Sequence, residues 1–446
     1  MASEATDPLI QELPWCDPAQ ALSLLQGETW GTMLDSGGDD TNDRARWSWL
    51  CLSPSDTLTT NGIQTEHNGR IVTDDVWTML HHMQRPPSPA ERLLQAQTHI
   101  PFTGGTIGLA SYDAGLRLEG LRSRHEQRAP EVMAARYNNI LAFDRHTQRC
   151  WWISHNNTAP PHIPTVAVQP SSPNLTFRAD FSRDEWIEAV QTMRRHIGQG
   201  DIFQANLTTR YTANITSSFD EIGAYIHLRQ LSPAPFGAYF KSPPLSLLSA
   251  SVERFLSLSA SGKVETRPIK GTAPATGNIT HTIEQLKNDT KENAENLMIT
   301  DLMRHDLGRI CTLGSIDVPQ LCNVERFSHV LHLVSSVTGQ LPPHHSALDL
   351  LRTTLPPGSV TGAPKHKALQ LIDQVERSSR GAYCGTLFRI GHDGSMDSSV
   401  IIRSAERSAG QLTIGAGGGI TWPSDPAKEY DETTLKAAAL LRSFNA

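Results

Sequence analysis

A chain of 446 residues with 38% hydrophobic and 19% charged residues and a formal net charge of -7 has the balance of a soluble globular protein. The acidic total and the lack of basic clusters argue against nucleic acid as a partner. No apolar run approaches the ~18 residues a membrane helix needs, and the first residues have neither the basic nor the apolar region of a secretory signal.

Six scattered cysteines, none in a Cys-x-x-Cys pair, fit reduced packing thiols in a cytoplasm. Among the eighteen histidines the pairs His81-His82 and His344-His345 lack metal-site spacing and read as surface. The length allows two or three average domains or one large intertwined fold.

Residues 1 to about 175 read as one β-rich region. A helical pattern runs from Ala19 to Leu25 between Trp15 and Trp30. Thr32 to Ser36 is a short strand that ends in a loop signal at Gly37-Gly38-Asp39-Asp40. Trp47 to Leu52 is a strand. Val76 to Leu80 and Ala90 to Ala96 read as helix, broken by Pro86, Pro87 and Pro89. Gly104 and Gly105 in a strand imply close backbone approach. Tyr137 to Phe143 and Cys150 to Ser154 form a hairpin. The five prolines between Thr158 and Pro173 make the best linker of the chain, so the sequence predicts domains at 1–175 and 176–446.

Beyond the linker, Ser182-x-x-Glu185 is a capping-box pattern. Trp186, Val190, Met193 and Ile197 follow at helical spacing. Asp201 to Leu207 alternates as a strand, with Gln204 among apolar residues. The run Leu256 to Ile269 reads as a β-hairpin turning at Ser261-Gly262-Lys263, with Lys270 at its end before Gly271. A rigid strand end aims a side chain while a loop leaves room for substrate, so Lys270 is either a nucleophile or a solvated turn lysine. Ile283 to Ile310 is one long helix or two. Tyr383 to Gly419 reads as a closely joined, hence antiparallel, meander that ends in the glycine run Gly415 to Gly419. That run lacks a following Gly-Lys-Ser/Thr and is no P-loop, but glycines there let backbone N–H groups approach a carboxylate. The last helix starts at Asp425-Pro426. Its Glu429, Glu432 and Lys436 fall within about 60° of one another, a spacing that a solvated face explains as well as a site does. Glu292 and Glu295 carry the same ambiguity.

The string Pro268-Ile-Lys270-Gly-Thr272, with Glu295-Asn-Leu-Met298, Gly358-Ser-Val-Thr361-Gly-Ala-Pro364-Lys365 and Glu429-x-x-Glu432-Thr433, resembles the chorismate-utilising enzymes over nearly the whole chain. The resemblance implies an α+β fold, with large antiparallel sheets packed as a β-sandwich-like core surrounded by helices. It is strongest to the branch that aminates chorismate at C4, because the anthranilate-forming branch normally has alanine at the position of Lys270 and serine at that of Thr361. Amination at C2 with release of pyruvate is the alternative.

The resemblance further implies roles. Lys270 would be the nucleophile at C2 and Glu253 the general acid at the C4 hydroxyl, with His332 near the ring hydroxyl. Glu295, Glu429 and Glu432 would hold Mg²⁺, which suits hard carboxylate ligands. Tyr383, Arg403, Gly417, Gly418, Gly419 and Lys436 would meet substrate carboxylates, and Gln204, Gly271, Thr272 and Thr361 would line the same site. Gln204 stands where water-adding relatives carry a base lysine, and it cannot take a proton. An amine nucleophile is therefore implied. No cysteine sits in the Gly-x-Cys-x-Gly context of a glutaminase, so ammonia would come from a separate glutamine amidotransferase subunit. Ser36, Pro235 and Phe236 match parts of a tryptophan pocket. His305, Ala275 and Ser404 depart from the commoner residues.

Overall fold

The computed structural model describes residues 8–37, 43–85, 87–89, 91–92, 98–127, 129–275, 277–327 and 330–445. Residues 38–40 of the expected loop and most of the helix expected over 90–96 lie outside the described residues.

Among the described residues, two antiparallel sheets of twelve strands each carry the fold, as the resemblance implied. Period-two alternation makes each strand serve two layers. In Trp47–Leu52, Trp49 and Cys51 join a core between the sheets, together with Ile107, Leu109, Phe240 and Leu387. Leu50 and Leu52 point the other way and pack with Tyr225 and Leu228 of the helix Glu221–Leu231. On the far side of the second sheet, Ala134, Phe388 and Ile390 pack with helices Val76–Met83 and Ala347–Thr354. The order is helices, sheet, core, sheet, helices.

Each sheet joins strands from both sides of the proline-rich stretch. In the first, Gly31–Asp35 pairs with Phe236–Lys241 through Leu34↔Ala238. In the second, Gly105–Ala110 pairs with Thr386–Gly391 through Leu109↔Leu387. Residues 158–173 have neither helix nor strand.

The capping box at Ser182 is present: its hydroxyl accepts from Glu185 N, and the Glu185 carboxylate accepts from Ser182 N. Helix Arg183–Gly198 buries Trp186, Val190 and Met193 as the spacing predicts. The long helical stretch is two helices, Ile279–Asn288 and Thr290–Gly308, divided at Asp289, whose side chain caps the second. The hairpin before Lys270 forms, but its returning strand is interrupted. Lys263–Thr266 and Ile269–Pro274 are separate strands laid along Val330–Gln340, with Arg267-Pro268 between them. Proline has no N–H for the ladder, which accounts for the break.

The expected meander over 383–419 also divides. Thr386–Gly391 and Met396–Val400 lie in the second sheet, whereas Ser404–Ser408 and Gln411–Ile420 lie in the first. Ile401 to Arg403 crosses between the sheets. A second crossing runs beside it, from Ser246–Ser251 in the first sheet to Arg254–Leu258 in the second. The crossings are bonded together, Ala250 N donating to Arg403 O at 3.0 Å and Val400 N to Glu253 O at 3.1 Å. Alternation of apolar residues cannot reveal such crossings, because the strands on either side of each keep the same pattern. Among the described residues no helix is long and apolar enough to cross a membrane.

Candidate active site

The two crossings put Glu253 and Arg403 at the seam of the sheets. Both line a cavity of about 380 Å³ with Lys270, Tyr383, Lys436 and the stretch Gly415-Ala416-Gly417-Gly418-Gly419. Arg403 has φ +50°, a left-handed backbone that a side chain other than glycine rarely adopts. Glu253 is 7% exposed. Burial raises its pKa above the ordinary carboxylate value, and Ser359, Lys270 and Arg403 oppose the rise without cancelling it. A carboxyl in such a place holds a proton to higher pH and can donate it.

Lys270 reaches the cavity from strand Ile269–Pro274. Lys270 pairs with Leu333 and Thr272 with His332, and the register shifts between them. Gly271, at φ +71°, is the extra residue of this bulge. A bulge of this kind re-aims the side chain beside it. His332 is 4% exposed, and burial and the Arg403 charge push its pKa down to about 4. Its imidazole is therefore neutral at pH 7.

The glycine run is the end of strand Gln411–Ile420 rather than a loop after it. It pairs with Gln204–Asn214, Gly417 opposite Thr208 and Gly419 opposite Asn206. Glycine is required here for space. A Cβ on Gly415 would lie 2.3 Å from the Tyr383 ring, on Gly417 2.2 Å from Leu207 O, and on Gly419 2.5 Å from Gln204 Nε2. Gly418 faces the other side, where a Cβ would have Glu429 Oε2 at 3.5 Å and Lys436 Nζ at 3.7 Å. Lys436 also donates to Gly417 O at 3.3 Å and pairs with Glu432 at 2.7 Å. Gln204 is buried against Gly419, and its Oε1 and Nε2 have no bond partner.

Four carboxylates on two helices feel one another's charge, and Glu292, Glu295 and Glu432 also feel Lys270. Glu292 and Glu295 come from Thr290–Gly308, Glu429 and Glu432 from Pro426–Leu441. Burial lifts the Glu295 and Glu429 pKa values, and each carboxylate also feels acidic neighbours. Burial acts on Glu432 too, but Lys436 and Lys291 outweigh it and hold its pKa low. This donor set, hard oxygens on two helices with Glu429 buried, Glu292 and Glu295 half-buried and Glu432 exposed, fits Mg²⁺. The expected ligands Glu295, Glu429 and Glu432 are thus neighbours by charge, with Glu292 a fourth that the sequence left ambiguous.

Thr361 is 1% exposed and its hydroxyl donates to Gly358 O at 3.0 Å, within its own turn and away from the cavity wall. The wall next to it is made by Ser359 and Val360. Asn206 also lines the cavity and was not singled out. A signal existed: it stands two residues after Gln204 in an alternating strand, on the same face. Ser36, Pro235 and Phe236 lie together on a second cavity of about 380 Å³, with Trp47, Arg44 and Arg254.

Among the described residues, the group of three whose ligand atoms gather within 4.8 Å is Glu91, His155 and His392, not the predicted glutamates. Its chemistry is that of an ion-pair network. Arg85 grips Glu91 with two bonds, Arg136 donates to His392 Nδ1 at 3.3 Å, and His155 faces both Glu91 and Thr103 O. Two guanidiniums on the would-be ligands disfavour a further cation.

Residues 35–442 match the family described as chorismate binding enzyme. The chain is 36% identical to aminodeoxychorismate synthase component 1 of Klebsiella aerogenes, over 98% of this chain and 99% of that protein. It is 36% identical to the protein of the same name from Escherichia coli strain K12, over 98% of each. The solved structure of anthranilate synthase component I from Streptococcus pneumoniae TIGR4 superposes with a TM-score of 0.79 at 27% identity, covering 89% of this chain and 92% of that one.

Proposed function

The chain belongs to the chorismate-binding enzyme family, and from that premise we propose that it aminates chorismate at C4 with ammonia, giving 4-amino-4-deoxychorismate. The observation that carries this reading is Lys270, a primary amine on a bulged strand lining the cavity that also holds the buried carboxyl of Glu253.

Chorismate lies in the cavity with a carboxylate against Gly417, Gly418 and Gly419, where Arg403, Lys436 and the Tyr383 side chain face it. The Lys270 amine forms a bond from Nζ to C2 while the ring double bonds shift and the C4–O bond breaks. Glu253 gives that oxygen its proton, so that water leaves. Ammonia then bonds to C4, the double bonds shift back and the C2–Nζ bond breaks. Two displacements with migration place nitrogen at C4 rather than C2. Neutral His332 faces the ring without adding charge. Gln204, unable to take a proton, does not activate water for attack. Gly271 sets the direction of Lys270, and Thr272 follows on the same strand opposite His332.

Glu295, Glu429 and Glu432 are the residues that would hold Mg²⁺, which would supply positive charge against a substrate carboxylate. A glutamine amidotransferase subunit would deliver the ammonia, with free ammonia at high pH as a substitute. The second cavity, with Ser36, Pro235 and Phe236 beside Trp47, suits tryptophan. Six cysteines, none in a disulfide, support a place for this enzyme in the reducing cytoplasm.

The test is product identity. Purified protein, chorismate, ammonium and Mg²⁺ should yield 4-amino-4-deoxychorismate by mass, without pyruvate. Fluorescent anthranilate with equimolar pyruvate would establish amination at C2 instead, and no turnover would leave a binding protein.

A further inference from the structure

Two leftover polar atoms belong to the catalytic cavity. Glu253 Oε1 and Ser359 Oγ are both buried and neither makes a hydrogen bond of ordinary geometry, yet the Ser359 hydroxyl lies near enough to the carboxyl to lower its pKa. Both residues line the cavity, at 7% and 5% exposure, and they reach it from unrelated parts of the chain. Ser359 stands in a single turn, Gly358–Val360, pinned by backbone bonds. Arg380, itself buried, donates to Val360 O at 2.7 Å and to Asn206 O at 2.6 Å, and its charge is met by Glu376. The turn therefore presents the Ser359 hydroxyl from a fixed base. Burying a hydroxyl and a carboxyl oxygen without a well-formed hydrogen bond is costly, so a role for the pair is expected.

We propose that Ser359 is the positioning residue of Glu253: its hydroxyl donates to Oε1 and so fixes the other oxygen, Oε2, as the one that carries the proton into the cavity. This rests on the proton-donor role given to Glu253 above. The physical basis is the inventory of a carboxylic acid. Protonated, it has one acceptor oxygen and one donor oxygen, and without a neighbour it can exchange the two by rotation. A hydroxyl donated to Oε1 makes that oxygen the acceptor. The proton then sits where the substrate C4 hydroxyl will be. The charged groups that face Glu253 are Lys270 from its strand and Arg403 from the adjacent crossing, with Lys436 on the same cavity. Lys270 and Arg403 favour the ionised form, and neither can choose between the two oxygens as a directed hydroxyl can.

The test compares Ser359→Ala with Ser359→Thr in the full chain. In the alanine variant kcat/KM for chorismate should fall about tenfold or more, a part of the ~10²–10⁴-fold that a positioned acid supplies. Its basic limb should move to higher pH, because a donated hydroxyl stabilises the ionised carboxyl more than the neutral one. The threonine variant should restore both. A second readout needs no turnover: the infrared carbonyl band of the Glu253 carboxyl, assigned by difference against Glu253→Gln. That band should rise in frequency in Ser359→Ala, where the acceptor loses its bond, and stay in place in Ser359→Thr. An unmoved band in Ser359→Ala, or an alanine variant with the wild-type pH profile, overturns the proposal. A shifted band in a protein that turns over no chorismate keeps the Ser359 contact and sinks the catalytic reading instead.

Discussion

His332 pairs with Thr272 and not with Lys270; Gly271 is the extra residue that separates the lysine from the histidine along the ladder. A regular strand would give successive residues opposite faces in strict alternation. The bulge breaks that alternation at the residue next to the amine. In the proposed mechanism the chemistry at C2 thus depends on one left-handed glycine as well as on a lysine.

Replacing Lys270 by alanine removes the proposed nucleophile and leaves the proposed acid, Glu253, in place. We expect 4-amino-4-deoxychorismate formation to drop by at least about 100-fold, with anthranilate or 2-amino product replacing it if ammonia reaches C2 directly. Mass analysis of the products at saturating ammonium decides it. A variant that still aminates C4 at the wild-type rate removes Lys270 from the mechanism.

Gly271→Ala tests the bulge. The left-handed φ of +71° costs a side chain about 1–2 kcal/mol, and the new Cβ would meet Leu286 Cδ1 at 3.1 Å and Glu292 Oε2 at 3.2 Å. Chemical denaturation should show that loss, and kcat should fall further than stability alone accounts for. Unchanged stability together with unchanged kcat would show that the backbone there is not constrained.

Glu253→Gln keeps the shape and removes the proton. kcat should fall by about 10²–10⁴-fold with little change in KM. In the wild type, a reaction needing protonated Glu253 runs fully below its folded-state pKa and fails as pH rises through it. Burial raises that pKa, so the basic limb of kcat/KM should lie above the ordinary carboxylate range. The profile is read at constant free ammonia. A basic limb that persists in the glutamine variant belongs to another group.

Glu429→Gln should weaken Mg²⁺ activation by about tenfold or more, since a neutral amide replaces one of few carboxylates. Titration calorimetry with Mg²⁺ alone reads it, and chelation of the wild type should abolish turnover. Equal Mg²⁺ affinity in variant and wild type would place the ion elsewhere.

Away from the cavity, Lys365 donates to Asp306 at 2.6 Å and to two backbone carbonyls, with both side chains buried. Lys365→Met leaves Asp306 without its cation and should cost about 3–5 kcal/mol of stability. A denaturant midpoint close to that of the wild type would show that Asp306 finds another partner or is protonated.

Much of this was legible in the residues themselves. The capping box at Ser182, the helix that follows it, the hairpin turning at Ser261-Gly262-Lys263 and the start of the last helix are local features, set by contacts within a few residues. The strings around Lys270, Glu295 and Glu429 pointed to a chemistry through resemblance. Alone, their spacing was equally consistent with a solvated lysine and a charged helix face. The notion of one meander over 383–419 failed because a strand's pattern does not state which sheet it joins. Asn206 and Ser359 escaped notice because polar residues in a strand or turn look alike until a cavity is known.

Covalent order determined which side chains exist and which local elements they favour: an amine before a glycine, acids three apart on helices, glycines where no Cβ could fit. Only the packed structure decided that two sheets exchange strands at 251–254 and 400–404. That exchange carries Glu253 and Arg403 to the same seam as Lys270 and the glycine strand. The physical reason is range. Helix caps and turns are settled by neighbours in the chain, whereas a buried carboxyl beside an amine depends on which distant surfaces exclude water together.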